Sequence, residues 1–110
     1  MTNKTILVVD DKADIRLSLR FLLSNHHYQV EEAGSLQEAK EKLASLDIDL
    51  VLLDMNYQMD TTSGEEGLGF IADTSEQAPP IIAMTAWSSV TLAVEAMKVG
   101  ACDFFAKPWD

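Results

Sequence analysis

Ile6-Leu7-Val8-Val9-Asp10-Asp11 decides how this chain reads: four apolar residues, three of them β-branched, run straight into two adjacent carboxylates. A run this short and this uniformly apolar suits a strand buried on both faces, not one face of a helix. The pattern recurs. Leu50 to Leu53 stops at Asp54, Ile81 to Met84 stops at Thr85, and Phe104 to Ala106 stops at Lys107. A fifth run, Tyr28 to Glu32, is more polar and suits an edge strand.

Segments of helical period separate these runs. Ile15, Leu19, Leu22 and Leu23 mark one buried helical face, with Arg16 and Arg20 on another. Ser35 followed by Glu38 is a capping box, opening a helix whose stripe is Leu36, Ala39, Leu43 and Leu46. A weaker helix near Glu66 to Asp73 contains Gly67 and Gly69, each costing up to about 1 kcal/mol in a helix interior. The last helix runs from Ser88 or Ser89 through Val90, Ala93, Val94 and Met97, with Gly100 suited to a left-handed C-terminal position. Strands alternating with helices predict an α/β fold, a doubly wound parallel sheet covered on both faces.

Composition sets limits. The 110 residues fit one small domain, long enough to bury roughly two-thirds of the unfolded surface without disulfides or structural metals. A hydrophobic fraction of 47% excludes a disordered acidic tail, and a net charge of -10 argues against direct nucleic acid binding. Cys102, the single cysteine, cannot form an internal disulfide, which makes the reducing cytoplasm the simplest location; the residue is expected to be buried beside the last strand. The run after Lys4 is too short for a signal core or a membrane span. Charge is uneven: from Leu43 to Met97 there are nine acids and no Lys or Arg. A solvated acidic face is the commoner reason for such asymmetry and carboxylates converging on a cation the sharper one; composition does not separate them, so positions must decide.

In a doubly wound sheet the ligand site lies beyond the carboxyl ends of the strands, where the winding reverses. That rule points to Asp10, Asp11, Asp54, Thr85 and Lys107. Alone, each has a plain reading: Asp10 or Asp11 as a helix cap, Asp54 as a turn residue, Thr85 as a strand end, Lys107 as a solvated lysine. Together they are harder to dismiss. Three carboxylates sharing a rim repel one another and need a cation, and oxygen-only ligands favour a hard ion such as Mg²⁺, which keeps several waters. With the ammonium of Lys107 and the hydroxyl of Thr85, these are the parts required to transfer a phosphoryl group onto an aspartate.

At this point the chain resembles, over its whole length, the receiver domain of bacterial two-component response regulators. The matching pieces are Ile6 to Asp11, Leu50 to Asp54, Met84-Thr85-Ala86, and Gly100-Ala101 through Phe105-Ala106-Lys107-Pro108-Trp109. The resemblance implies a flavodoxin-like fold, five parallel strands in the order 2-1-3-4-5, with residues 1–110 as a single receiver domain. It implies Asp54 as phosphoacceptor, with Mg²⁺ bound by Asp11, Asp54 and the backbone carbonyl of Asn56, and by Asp10 through water. It further implies Lys107 and Thr85 as phosphoryl-oxygen partners, with Thr85 and Phe104 as switch residues; Phe104 also reads as a plain core aromatic. Lys107-Pro108 matches a cis peptide of the family. A sensor histidine kinase is the implied donor. The stretch from Thr85 to Gly100 looks most like receivers attached to AAA+ ATPase and DNA-binding domains, which would place DNA binding outside this chain and make the domain a regulator of transcription.

Departures are equally informative. The family's Pro four residues beyond the phosphoacceptor is replaced by Gln58, and aligning Gly67-Leu68 implies an insertion of roughly five residues around Tyr57 to Glu66, which a loop tolerates cheaply; it reads either as neutral or as a lid or partner contact. A receiver normally continues through a fifth helix, for which Trp109-Asp110 leaves no room. The chain therefore reads as a C-terminally truncated receiver with apolar surface open on its first helix and last strand, so aggregation, swapping or a homodimer is expected. His26-His27 reads as a solvated pair.

Two rival readings belong to other classes. A Mg²⁺-dependent phosphatase with an Asp nucleophile would want an acid two residues past it, where Asn56 stands. A phosphorylation-independent interaction module would not need Asp54, Thr85 and Lys107 together. Trp87 occupies a position that in the family influences access of water and donor, and its ring is expected to shield the phosphoryl group, the alternative being a packing or partner role. Trp87→Ala should then shorten the aspartyl-phosphate lifetime, followed by release of inorganic phosphate; an unchanged lifetime overturns the shielding role.

Overall fold

The computed structural model describes residues 4–55, 69–72, 79–86 and 90–107. Five parallel strands form one sheet in the order β2-β1-β3-β4-β5, as the resemblance implies. They are β1 (Thr5–Val9), β2 (Gln29–Ala33), β3 (Leu50–Asp54), β4 (Ile81–Ala86) and β5 (Asp103–Lys107). Helices α1 (Ala13–Asn25), α2 (Leu36–Ser45) and α3 (Val90–Val99) alternate with them, and residues 69–72 are helical within the weaker predicted segment.

The apolar runs fill two cores, one on each face of the sheet. Leu7, Val9, Val51, Leu53, Ile81 and Ala83 face Ala39 of α2, Ala96 of α3, and Phe70 and Ile71. Ile6, Val8, Leu52 and Met84 face Leu19 of α1, with Ile15 and Leu23 packed against them. Successive residues of β1 thus enter opposite cores, which is why no polar residue interrupts that strand. The polar second strand lies at an edge, as its composition predicts.

Strands run further than the apolar runs suggest. Asp54, Thr85 and Lys107 are not just beyond their strands but within them, Asp54 in register with Met84, Thr85 with Ala106 and Lys107 with Ala86. Backbone pairing continues past the end of each apolar run, so the polar residues are held by the ladder itself. β2 starts one residue later than expected because the Tyr28 N–H is used elsewhere, donating to Leu23 O at 3.1 Å.

Three expected stripes need correction. Leu22 is 46% exposed although its neighbours Leu19 and Leu23 pack inward. Leu46 leaves α2 as an extended cap residue and is exposed, and Ile48 packs against the core instead. In α3 the small Ala96 meets the sheet while Val94 and Met97 are exposed; a helix apolar on most faces does not declare its buried side by period alone. Cys102 is exposed, not buried, because Ala101 takes the inward position before β5. Apolar surface is open on α1 at Leu17, Phe21 and Leu22. Among the described residues no helix is long and apolar enough to cross a membrane.

Two helices end by the same device with different residues. After α3, Gly100 has φ 130°, its N–H donates to Met97 O, and Ala101 N–H donates to Ala96 O. After α1, His27 has φ 69°, its N–H donates to Ser24 O, and Tyr28 N–H reaches back to Leu23 O. Both are Schellman closures, but a β-carbon in the left-handed region costs about 1 kcal/mol that glycine avoids. His27→Gly should therefore raise stability by up to about 1 kcal/mol, measured by urea unfolding with an unchanged slope.

Candidate functional site

The carboxyl end of β1 is fixed from three sides. Asp10 N–H donates to Ala33 O at 3.1 Å, its carbonyl accepts from Arg16 Nη1 at 2.6 Å, and its Oδ1 accepts from Lys12 N–H at 2.9 Å. Neither Asp10 nor Asp11 caps α1: the N-cap is Lys12, whose side chain makes no capping bond. The neighbouring end of β3 presents Asp54, and Met55 N–H donates to Met84 O at 2.9 Å. Because β1 pairs directly with β3, the two ends lie side by side.

Asp10, Asp11 and Asp54 meet there. Each offers a carboxylate oxygen, and these oxygens lie within 4.8 Å of one another. Asp10 and Asp54 are fully buried and Asp11 is partly so. At an effective dielectric of about 20, each ionised pair at such a distance repels by on the order of 3 kcal/mol. The donor set is all oxygen, anionic and clustered within the span of one ion, so it fits a hard divalent cation and not a soft transition metal. Thr85 near the end of β4 and Lys107 at the end of β5 stand on the same edge of the sheet by register. Their side chains, and Asn56, Trp87 and the 57–66 insertion, lie outside the described residues, as does Pro108.

The residues match a known family. A family model described as the response regulator receiver domain matches residues 6–110. The chain belongs to the response regulator receiver family. Response regulator protein PilR of Pseudomonas aeruginosa is 36% identical over 110 residues, covering 100% of this receiver and 24% of PilR. Transcriptional regulatory protein ZraR of Escherichia coli K12 is 39% identical over 111 residues, covering 98% and 24%. The receiver thus spans about a quarter of the length of these curated relatives. Among solved structures, a response regulator from Burkholderia pseudomallei described with a phosphorylated aspartic acid, calcium ion and citrate superposes with a TM-score of 0.84 at 27% identity. That match covers 98% of this chain and 62% of the other.

Phe104 of the receiver is 39% exposed, which removes its reading as a plain core aromatic. Sequence reasoning also passed over a charged network behind the site. Glu32 accepts from Arg16 Nε at 3.1 Å and from Arg20 Nε at 2.6 Å. The only available signal was two arginines one turn apart on the polar face of α1, with an acid in the adjacent strand.

Burial pushes the Glu32 carboxyl up, but the hydrogen bonds and charges of Arg20 and Arg16 outweigh it and hold the group below the usual carboxylate range. A depressed folded-state pKa contributes stability above the unfolded value near pH 4, which is lost as pH falls through the folded value. With the side chain 28% exposed, solvent screening limits the effect to about 1 kcal/mol. Glu32→Gln should be less stable by about that amount at pH 7, with the difference from wild type shrinking as pH falls below the unfolded value and through the depressed folded one, measured by denaturant titration across the acid range.

Proposed function

We propose that this receiver accepts a phosphoryl group on Asp54 from the phosphohistidine of a sensor histidine kinase, in a Mg²⁺-dependent reaction, and so switches an output domain. The observation that carries the reading is the meeting of Asp10, Asp11 and Asp54 at adjoining strand ends, with Asp54 buried and held by the ladder. The Burkholderia structure, whose description names both a phosphorylated aspartic acid and a divalent cation, supports it.

Asp11 and Asp54 would hold the ion directly, with the Asn56 carbonyl, while Asp10 acts through water. A bound Mg²⁺ supplies positive charge against the three carboxylates and the phosphoryl oxygens. Asp54 is positioned as nucleophile. One carboxylate oxygen attacks phosphorus in line with the P–N bond of the donor; an O–P bond forms as the P–N bond breaks, and the imidazole nitrogen keeps the electron pair and takes a proton from solvent. Lys107 would pair with a phosphoryl oxygen and neutralise its charge. Thr85 would turn its hydroxyl toward another. That movement opens space toward Phe104, whose partly exposed ring can respond, and the surface of α3 and β5 changes shape. Later attack of water on phosphorus releases inorganic phosphate and restores the Asp54 carboxylate, so the domain catalyses its own phosphorylation and slow dephosphorylation.

The output is altered association. AAA+ and DNA-binding domains of the same parent protein are the proposed recipients, in the cytoplasm, with transcription as the regulated process and a homodimer as the form through which the altered surface acts. The full-length relatives PilR and ZraR, named as a response regulator and a transcriptional regulatory protein, support that direction.

Acetyl phosphate with Mg²⁺ should add one phosphoryl group to the wild type, seen by intact mass, and none to Asp54→Asn. Mg²⁺ followed by beryllofluoride should change the fluorescence of the two tryptophans only when Asp54 is present. A silent wild type, or a response that persists in Asp54→Asn, overturns the phosphoacceptor role.

A further inference from the structure

The Asp10 carbonyl belongs to the peptide that joins Asp10 to Asp11. Because that peptide is planar, fixing its oxygen fixes the nitrogen from which Asp11 departs. Arg16 Nη1 holds this oxygen at 2.6 Å. The same guanidinium donates through Nε to Glu32 Oε1 at 3.1 Å, and the other Glu32 oxygen is taken by Arg20 at 2.6 Å, so the carboxylate that orients Arg16 is itself tethered. On the far side of the residue, Asp10 N–H is bonded to Ala33 O.

Gly34 provides the space. A β-carbon there would stand 3.3 Å from Arg16 Nη1, tight enough that the guanidinium would have to give by a few tenths of an ångström, and in ordinary contact with its Cζ at 3.7 Å. Only a planar fork can serve a carbonyl and a carboxylate at once from fixed directions; a lysine ammonium on the same stem cannot span both.

We propose that Arg16 is a positioning residue for the carboxylate cluster: held by Glu32 and Arg20 and accommodated by Gly34, it locks the Asp10-Asp11 peptide so that both carboxylates are aimed at a divalent cation before one binds. The role rests on the reading of Asp10, Asp11 and Asp54 as a cation site. Outer partners that orient ligand groups commonly contribute ten-fold or more to metal affinity.

Mg²⁺ titration by tryptophan fluorescence, on wild type, Arg16→Met, Arg16→Lys and Gly34→Ala, tests it together with amide hydrogen exchange on the metal-free proteins. Arg16→Met should weaken Mg²⁺ binding about ten-fold and speed exchange at the Asp10 and Lys12 amides, while the Val8 and Leu52 amides stay protected. Arg16→Lys should not restore wild-type affinity. Gly34→Ala keeps every interacting group yet displaces the guanidinium, and should weaken Mg²⁺ binding in the same direction. A folded Arg16→Met or Gly34→Ala with wild-type Mg²⁺ affinity overturns the role, as does a loss of affinity that merely follows faster exchange throughout the core. A wild type that binds no Mg²⁺ overturns the cation reading and this role with it; a wild type that binds beside an Arg16→Met that binds equally overturns this role alone.

Discussion

Parallel pairing imposes a single direction on every strand, and the rest of this molecule depends on it. All five carboxyl ends arrive at one edge of the sheet, so whatever residue follows each apolar run is delivered to the same place. The order β2-β1-β3-β4-β5 then sets who meets whom. β1 and β3 are neighbours, which brings Asp10 and Asp11 against Asp54. β4 and β5 carry Thr85 and Lys107 to the same edge. The backbone that presents this concentration of negative charge is pinned, by Ala33 O at Asp10, by the Met84 carbonyl at Met55, and by the ladder at Asp54.

The edge strand contributes more than its polarity suggests. Glu31 and Glu32 on β2 gather Arg16 and Arg20 from α1 and Lys42 from α2, whose Nζ also donates to Glu32 O at 2.6 Å. Lys42 thus occupies a backbone acceptor of β2, an edge strand where unpaired backbone would otherwise invite another strand. The Ser35 capping bond to Glu38 N–H joins the same region, since Glu38 Oε1 accepts from Gly34 N–H, one residue before the cap rather than at it. The start of α2, the end of β2 and the turn after β1 are therefore mechanically one piece.

Strands were legible because their apolar runs are short and end abruptly: Ile6 to Val9 and Leu50 to Leu53 leave no helical alternative. The site was legible for the same reason, since Asp10, Asp11 and Asp54 stand at those abrupt ends. Helix faces were less so. Leu22, Leu46, Val94 and Met97 satisfy a helical period yet face outward, because period identifies a stripe without saying where the sheet stops covering it. Cys102 was misplaced by one residue, a shift that reverses a side chain wherever the backbone is extended. The Arg16–Glu32 contact was invisible because a partner 16 residues away in sequence is chosen by how α1 crosses the sheet, which no local pattern records.

The pairing of β1 with β3 carries a further consequence, for the growing polypeptide. Ile6 pairs with Leu50, 44 residues later, while the pairing of β1 with β2 closes after only 24, from Ile6 to Val30. During synthesis, one edge of the most apolar strand must therefore wait, uncovered, until the third strand has emerged. Contacts of such separation form slowly, and an exposed apolar edge is what neighbouring chains capture. The pairing that assembles the carboxylate cluster is thus the same one that ends the chain's most vulnerable interval at birth.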